Sequence, residues 1–420
     1  MAGTPPLAAR RAADALLGLI AAAIPLSTTG MEAGVLGLGA LSVAALIGSW
    51  GVVRRTPLDG VLALLAAVLA LSTLASGHPL EARGWARLWI ALAYFAVFWW
   101  LRDRAHAVRL ARTIVVGGAV AAAYGILQHF TGADWYRTLL GRPTYVYPRE
   151  PGAPGYAVVG FFRNYLTFAH VMIFPLAWAL AGALAGRAAA LGAALLVVLA
   201  LVFSTARGAW LAALAVAAAL ALVARDRRAR LVLPACAAAA GLAFAVTPAL
   251  RAEAAHMFSA GGANAGRVGI YRANLEIVHA RPLLGLGFGR YRTAAPAYYA
   301  AYPAADRRSH AHNNFLQMAA EAGLAGLAAF GLVYATVLRR GVETIERARD
   351  GETWAAAAGA WAGVVGFLVG GLTQYTFGDA EVAIAMWVAL AILARLGEDD
   401  LATSGGPAPP ARPALAGVRA

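Results

Sequence analysis

The chain has 420 residues, of which 61% are apolar and only 13% charged, and its mean hydropathy is +0.65. That balance excludes an ordinary soluble domain, whose surface draws on about a quarter charged residues, and it fits a polytopic membrane protein whose apolar side chains face lipid. The net charge of +14 comes wholly from arginine, and its placement in loops between apolar runs argues for membrane topology and no nucleic-acid partner.

The opening MAGTPPLAARRAADALLGLIAAAIPL sets a basic pair ahead of an apolar run, as a signal peptide does. Apolar segments follow one another to residue 396, however, so it reads as an uncleaved first span. Runs long enough for about 30 Å of hydrocarbon, at roughly 20 residues each, fall near 13–29, 34–53, 58–75, 86–102, 110–130, 163–183, 187–204, 208–224, 231–249, 313–338, 353–373 and 379–396. The expectation is therefore an all-α membrane protein with about twelve transmembrane helices. Cys236, the only cysteine, lies in one of these runs, forms no intrachain disulfide and reads as a buried thiol.

Arginine alternates between loops, except for Arg83, Arg87 and Arg207 in intervening short loops. Arg10 and Arg11, Arg54 and Arg55, the cluster from Arg102 to Arg112, Arg187, the RDRRAR run at 225–230, Arg339 to Arg349 and Arg395 fall on one side, which the positive-inside rule makes cytoplasmic together with both termini. Two long loops, about 131–162 and 250–312, then lie outside. Residues 1–400 read as a single transmembrane domain, and the Pro/Gly/Ala-rich stretch 401–420 as a disordered cytoplasmic tail.

The second loop carries Arg251, Arg267, Arg272, Arg281, Arg290, Arg292, Arg307 and Arg308 against Glu253, Glu276 and Asp306, a net of +5 on the side the rule disfavours. Anionic headgroups would account for it; so would a cavity for an anionic substrate, since guanidinium groups grip phosphate in a bidentate fork. Within the loop, Val268 to His279 reads as an amphipathic helix, followed by a Pro- and Gly-punctuated turn from Arg281 to Gly289. Tyr298, Tyr299 and Tyr302 suit the headgroup level or stacking on sugars. Arg207 stands between two apolar spans, where an arginine is costly unless it snorkels or lines a cavity. Arg163, Thr167 and His170 are spaced to share one helical face at the outer end of a span. In RRSHAHNNFLQMAAEAGLAG, His310 and His312 lack the carboxylates or cysteines of a zinc site, and Asn313 can cap the helix that follows. A histidine at such a helix start, facing an arginine-lined cavity, is placed to act as a general base or to support a departing phosphate oxygen.

Three motifs carry a resemblance. His312-Asn313, nine residues, Gly323, two residues and Gly326 fit H-[NSQ]-x9-G-x2-[GTY]; Arg207 and Leu211 fit R-x3-L; Arg267, Tyr271 and the Pro282–Gly287 run fit an arginine, an aromatic and a PLLG-G turn, with Tyr where Trp is common. The sequence resembles the O-antigen ligase and polymerase superfamily of bacterial envelope glycosyltransferases. That resemblance implies the C-type glycosyltransferase class, with a large periplasmic loop containing short helices over an active site in the bacterial inner membrane. It implies inverting, metal-independent transfer with no cofactor, from an undecaprenyl-diphosphate-linked glycan to lipid A–core oligosaccharide, that is, O-antigen ligation. Arg207 and Arg267 would hold the donor diphosphate and His312 would sit at the reacting centre, with Arg163, His170, Arg272, Arg290, His310 and Asn313 in support. The alternatives are an O-antigen or exopolysaccharide polymerase using a second lipid-linked saccharide as acceptor, and a transporter of lipid-linked or anionic solutes.

Overall fold

The computed structural model describes residues 3–81, 83–148, 155–224, 263–302 and 310–403, with scattered positions between 234 and 245. In chain order its helices are α1 (Leu7–Ala23), α2 (Thr28–Ile47), α3 (Asp59–Ala75), α4 (Leu92–Trp100), α5 (Arg104–Thr131), α6 (Trp135–Leu139), α7 (Tyr165–Leu184), α8 (Ala188–Ser204), α9 (Arg207–Val223), α10 (Ala263–Ala280), α11 (Asn314–Arg347), α12 (Gly351–Gly370) and α13 (Ala380–Thr403). Single-turn helices at Tyr291–Ala294 and Pro296–Tyr299 follow α10. Among the described residues there is no strand, only two isolated bridges.

The helix count corrects the expectation of about twelve spans. Among the described residues six helices are long and apolar enough to cross a membrane: α2, α5, α7, α11, α12 and the Ala380–Glu398 part of α13. The predicted runs 58–75, 187–204 and 208–224 form α3, α8 and α9, each of 17 residues, and thus about 26 Å long at 1.5 Å per residue. The run 86–102 divides between a 3-10 helix at Arg83–Ala91 and the nine-residue α4. The first run becomes α1, which begins with Arg10 and Arg11 inside it and ends before Pro25. Apolarity located these segments, but runs of 17 residues and a run divided between two helices are too short to count as full spans. Most of the run 231–249, the RDRRAR cluster, Cys236, Arg251, Glu253, Asp306, Arg307, Arg308 and residues 404–420 lie outside the described residues.

Helix α7 is the centre of the bundle, buried over almost its whole length. Its partner α12 presents Gly359, Gly363, Gly366 and Gly370 along one face, and a Cβ at these positions would meet Trp178, Phe174, Ile173 and His170 of α7. Small residues at helical spacing let two backbones approach closely where lipid supplies no hydrophobic drive for association. Gly118 of α5 makes a similar approach to Pro175 of α7. This packing fixes both ends of α7. Its first turn reaches the segment 371–379 through Thr167, whose hydroxyl donates to Asp379 at 2.6 Å. Its last turn leads into Arg187 at the opposite end.

Candidate functional site

The helix that follows His312 is broken at a glycine. Inside α11, Gly323 has φ 66° and ψ −169°, a conformation closed to residues with a Cβ. The turn from Pro282 to Gly287 docks into that break. Leu286 and Gly287 N–H donate to the carbonyls of Ala320 and Glu321, both at 2.9 Å, while Leu324 and Ala325 N–H donate to the carbonyls of Pro282 and Leu283 at 2.7 and 3.2 Å. The backbone groups orphaned by the break are thus paired, which a buried site requires. Ser72 of α3 adds its hydroxyl 2.8 Å from Leu284 O and 2.9 Å from Glu321 O. The PLLG-G turn and the first glycine of the histidine motif are two halves of one joint.

At the head of α11, Asn313 caps the helix: its side-chain oxygen accepts from Phe315 and Leu316 N–H at 2.8 and 3.0 Å, and its amide donates to Leu372 O at 2.9 Å. Asn314 N–H donates to Gly371 O at 2.7 Å, and its side chain bonds Thr376 and Phe377. His312, buried, precedes this cap with φ 51°, a left-handed conformation uncommon outside glycine. Its Nδ1 lies 2.9 Å from Gln374 Oε1. An amide oxygen only accepts, so Nδ1 carries the proton and the basic lone pair is on Nε2. His310 lies beside it, accepting from His312 N–H at 3.3 Å, its ring edge-on at 4.3 Å to that of His312 and tilted against Tyr375.

The segment 371–379 between α12 and α13 is therefore the hub, and the sequence reading missed it. Thr373, Gln374, Thr376 and Asp379 interrupt two apolar runs, and that polar cluster was the available signal. On this hub converge α11 through His312, Asn313 and Asn314, and α7 through Thr167. Helix α9 reaches it at Gly208, where a Cβ would stand 2.1 Å from Thr373 Oγ1. Helix α10 reaches it through Tyr271, whose hydroxyl donates to Leu372 O at 3.1 Å. Arg267 is one helical turn before Tyr271 and shares its face. Arg207 is the first residue of α9, adjoining Gly208. The three residues expected at the reacting centre, Arg207, Arg267 and His312, are thus carried by helices that meet at one hub, whereas Leu211 of the R-x3-L motif is exposed on the outer face of α9.

The supporting residues divide. His170 is buried in α7, its Nδ1 2.8 Å from Leu166 O and its ring against Gly370 and beside Gly208. Arg163 lies ahead of the cap Asn164, so it does not continue the α7 face shared by Thr167 and His170; it acts electrostatically on Glu381. Arg290 is held in a scaffold, pairing with Glu81 at 2.8 Å and donating to Ser76 O and Leu286 O. Arg272 is exposed beside Glu276 and Tyr302. Tyr299 is buried with Tyr291 and Asn274 in a small core under α10, not at a headgroup surface. Burial and the neighbouring Glu381 carboxyl push Asp379 up to about 8. Among the described residues no group of three or more His, Cys, Asp or Glu is placed to hold a metal ion.

Residues 192–331 match the family model described as O-antigen ligase. The matched span contains Arg207, Arg267 and His312 and ends just past Gly326. The hub at 371–379 lies beyond it. No curated protein matches the chain. A solved chain from a structure described as "Structural coordination of polymerization and crosslinking by a peptidoglycan synthase complex" superposes with a TM-score of 0.44 at 17% identity, covering 81% of this chain and 97% of that one. The chain is a multi-pass membrane protein with a glycosyltransferase-like segment.

Proposed function

We propose that the chain is a membrane glycosyltransferase that moves a glycan from a polyprenyl-diphosphate carrier to an acceptor hydroxyl at the His312 end of the bundle. The observation that carries this reading is His312 itself: a buried imidazole held in a left-handed backbone with its Nδ1 2.9 Å from Gln374 Oε1, a contact that makes Nε2 the basic nitrogen when Nδ1 donates. Backbone strain of about 1–2 kcal/mol persists where the surroundings over-determine it, and such sites cluster where chemistry is done.

In the reaction, Nε2 takes the acceptor hydroxyl proton as that oxygen bonds to the anomeric carbon. The bond from that carbon to the diphosphate oxygen breaks on the opposite face, with inversion, and its electron pair leaves on the diphosphate. Arg207 and Arg267 would hold that developing charge, a fixed-dipole and fixed-charge stabilisation that needs no reorganisation during the step. Arg163, His170, His310 and Asn313 would orient the groups around this centre, and Arg272 and Arg290 would support α10 and the joint beneath it.

The acceptor we place first is a second lipid-linked saccharide, because one chemical class then serves as both donor and acceptor. Ligation to lipid A–core is the second reading, favoured by the family model's description and by the histidine motif. The basic end of the bundle would face the cytoplasm and the His312 end the periplasm of a bacterial inner membrane. The test is reconstitution with an undecaprenyl-diphosphate glycan, alone or with lipid A–core, read by which product lengthens. Growth on the carrier without lipid A–core supports the first acceptor; product only on lipid A–core supports the second. His312→Ala should abolish either product while donor binding persists, and wild-type transfer in that variant would remove the assignment.

A further inference from the structure

At the end of the bundle opposite His312, α5 and α8 leave a groove of about 580 Å³, floored by Trp178 of α7 and walled by Val115 and Ala119 of α5 and by Ala193 and Leu196 of α8. Its position follows from α7, whose first turn touches the hub and whose last turn leads to the groove, roughly 30 Å away at 1.5 Å per residue. The mouth of the groove is charged. Arg112 of α5 pairs with Glu352 at the start of α12, and Arg187 Nη2 lies 3.0 Å from the same Glu352 oxygen. Two guanidinium groups therefore share one carboxylate and leave one positive charge in excess. Helix α8 adds to it, because its N-terminus at Ala188 has no side-chain cap, and the positive end of a helix dipole favours an anion there.

We propose that this groove holds an anionic phospholipid, one acyl chain lying between α5 and α8 and the phosphate seated on Arg112, Arg187 and the first turn of α8. The charge decides the occupant. A zwitterionic lipid gains the apolar wall but not the excess cation, whereas a net-negative headgroup gains both, and basic pockets between transmembrane helices are a recurrent seat for such lipids. Nothing in the proposed transfer reaction requires this site, since it stands at the other membrane face.

The experiment is native mass spectrometry of the full chain, delipidated and then titrated with phosphatidylglycerol or phosphatidylcholine. Wild type should retain phosphatidylglycerol in preference. Arg112→Gln with Arg187→Gln should lose that preference by about fivefold for each arginine, the fold-change that corresponds to roughly 1 kcal/mol per basic residue near a charged lipid surface. Glu352→Gln removes the competing carboxylate and should raise the preference, a gain that misfolding cannot mimic. Gly192 lines the groove in α8 and a Cβ there meets nothing within 4 Å. Gly192→Leu should therefore fill the groove without strain and reduce retention of both lipids. Equal retention of the two lipids by wild type, an unchanged preference in the double arginine variant, or no rise in Glu352→Gln would each overturn the proposal.

Discussion

Gly208→Ala tests whether α9 and the His312 base communicate through the hub. A Cβ at Gly208 would stand 2.1 Å from Thr373 Oγ1, 3.2 Å from Thr373 Cβ and 3.6 Å from His170 Nε2. Ordinary contact begins near 3.4 Å, so the hydroxyl must retreat by about 1.3 Å. Turning Thr373 about χ1 moves the oxygen but leaves its Cβ too close, and it forfeits the 3.0 Å bond from Thr373 Oγ1 to Gly370 O. Overpacking costs about 1–3 kcal/mol and the lost hydrogen bond about 1, against a gain of about 1 for alanine over glycine in a helix, so the net destabilisation is about 1–3 kcal/mol. The catalytic effect should be larger. Thr373 adjoins Gln374, and a displacement of about 1 Å at a positioned group can cost about a hundredfold in rate. Initial transfer rates should therefore fall about a hundredfold while the purified protein still unfolds cooperatively. Gly331→Ala in α11, where a Cβ meets nothing within 4 Å, is the matched control and should keep wild-type rates. Adding Thr373→Ala to Gly208→Ala should recover part of the loss, as coupled neighbours do. A Gly208→Ala protein with wild-type turnover would refute the path from α9 to His312.

Gln374→Leu keeps the volume but removes the acceptor of the His312 Nδ1 proton, leaving a buried donor unpaired at about 1–3 kcal/mol; the rate should drop about 10–100-fold with donor affinity unchanged, measured by single-turnover transfer and donor titration. Gly323→Ala places a Cβ 2.2 Å from the Leu283 carbonyl carbon, which is backbone and cannot yield, so folded protein in the membrane should be largely lost by size-exclusion assay. Asp379 keeps its proton up to about pH 8 in the native state, whereas an unfolded chain releases it near 4. The native state then binds more protons across that window, so stability falls as pH rises from about 4 to about 8, by at most roughly 1.4 kcal/mol per pH unit, and levels off above. Thermal unfolding of wild type should decline over that range and Asp379→Asn should flatten the profile; parallel profiles would refute the raised Asp379 pKa.

What was legible in the sequence depended on the kind of signal. Apolar runs gave the all-α membrane class, because composition alone distinguishes a lipid-facing surface from a solvated one. One helix start was also read, Asn313 capping α11; Ser27, Asp103, Asn164 and Asp350 cap their helices in the same way but were not singled out, and the predicted starts of α2 and α5 fell six residues late. The ends of α3, α8 and α9 were legible too, at the polar residues after Ala75, Ser204 and Val223; the overcount came from treating apolar runs of 17 residues as full spans. The motif spacing picked out His312 and Gly323 but could not show that Gly323 exists to admit the Pro282–Gly287 turn, a contact between segments about 40 residues apart. Treating Arg163 as part of a helical face failed because Asn164, the cap, intervenes. Gln374 was legible only as one member of the polar cluster that interrupts two apolar runs; its role, holding the His312 ring, could not be read until its partner was known.

The hub also explains why the histidine motif contains asparagine after histidine. His312 N–H donates to His310, its ring is held by Gln374, and the next residue must end the left-handed turn and start a helix. Asparagine does both jobs at once here, capping α11 with its oxygen while its amide bonds Leu372 O, the carbonyl that Tyr271 of α10 also reaches. The backbone strain at His312 is thereby balanced by bonds to the same segment that receives α10 and α9. A diphosphate gripped by Arg267 and Arg207 would bear on both helices, and the hub is an element that both share with the imidazole. Binding energy spent at the carrier headgroup can in this way be used to align the base, which is where a transferase gains rate instead of mere affinity.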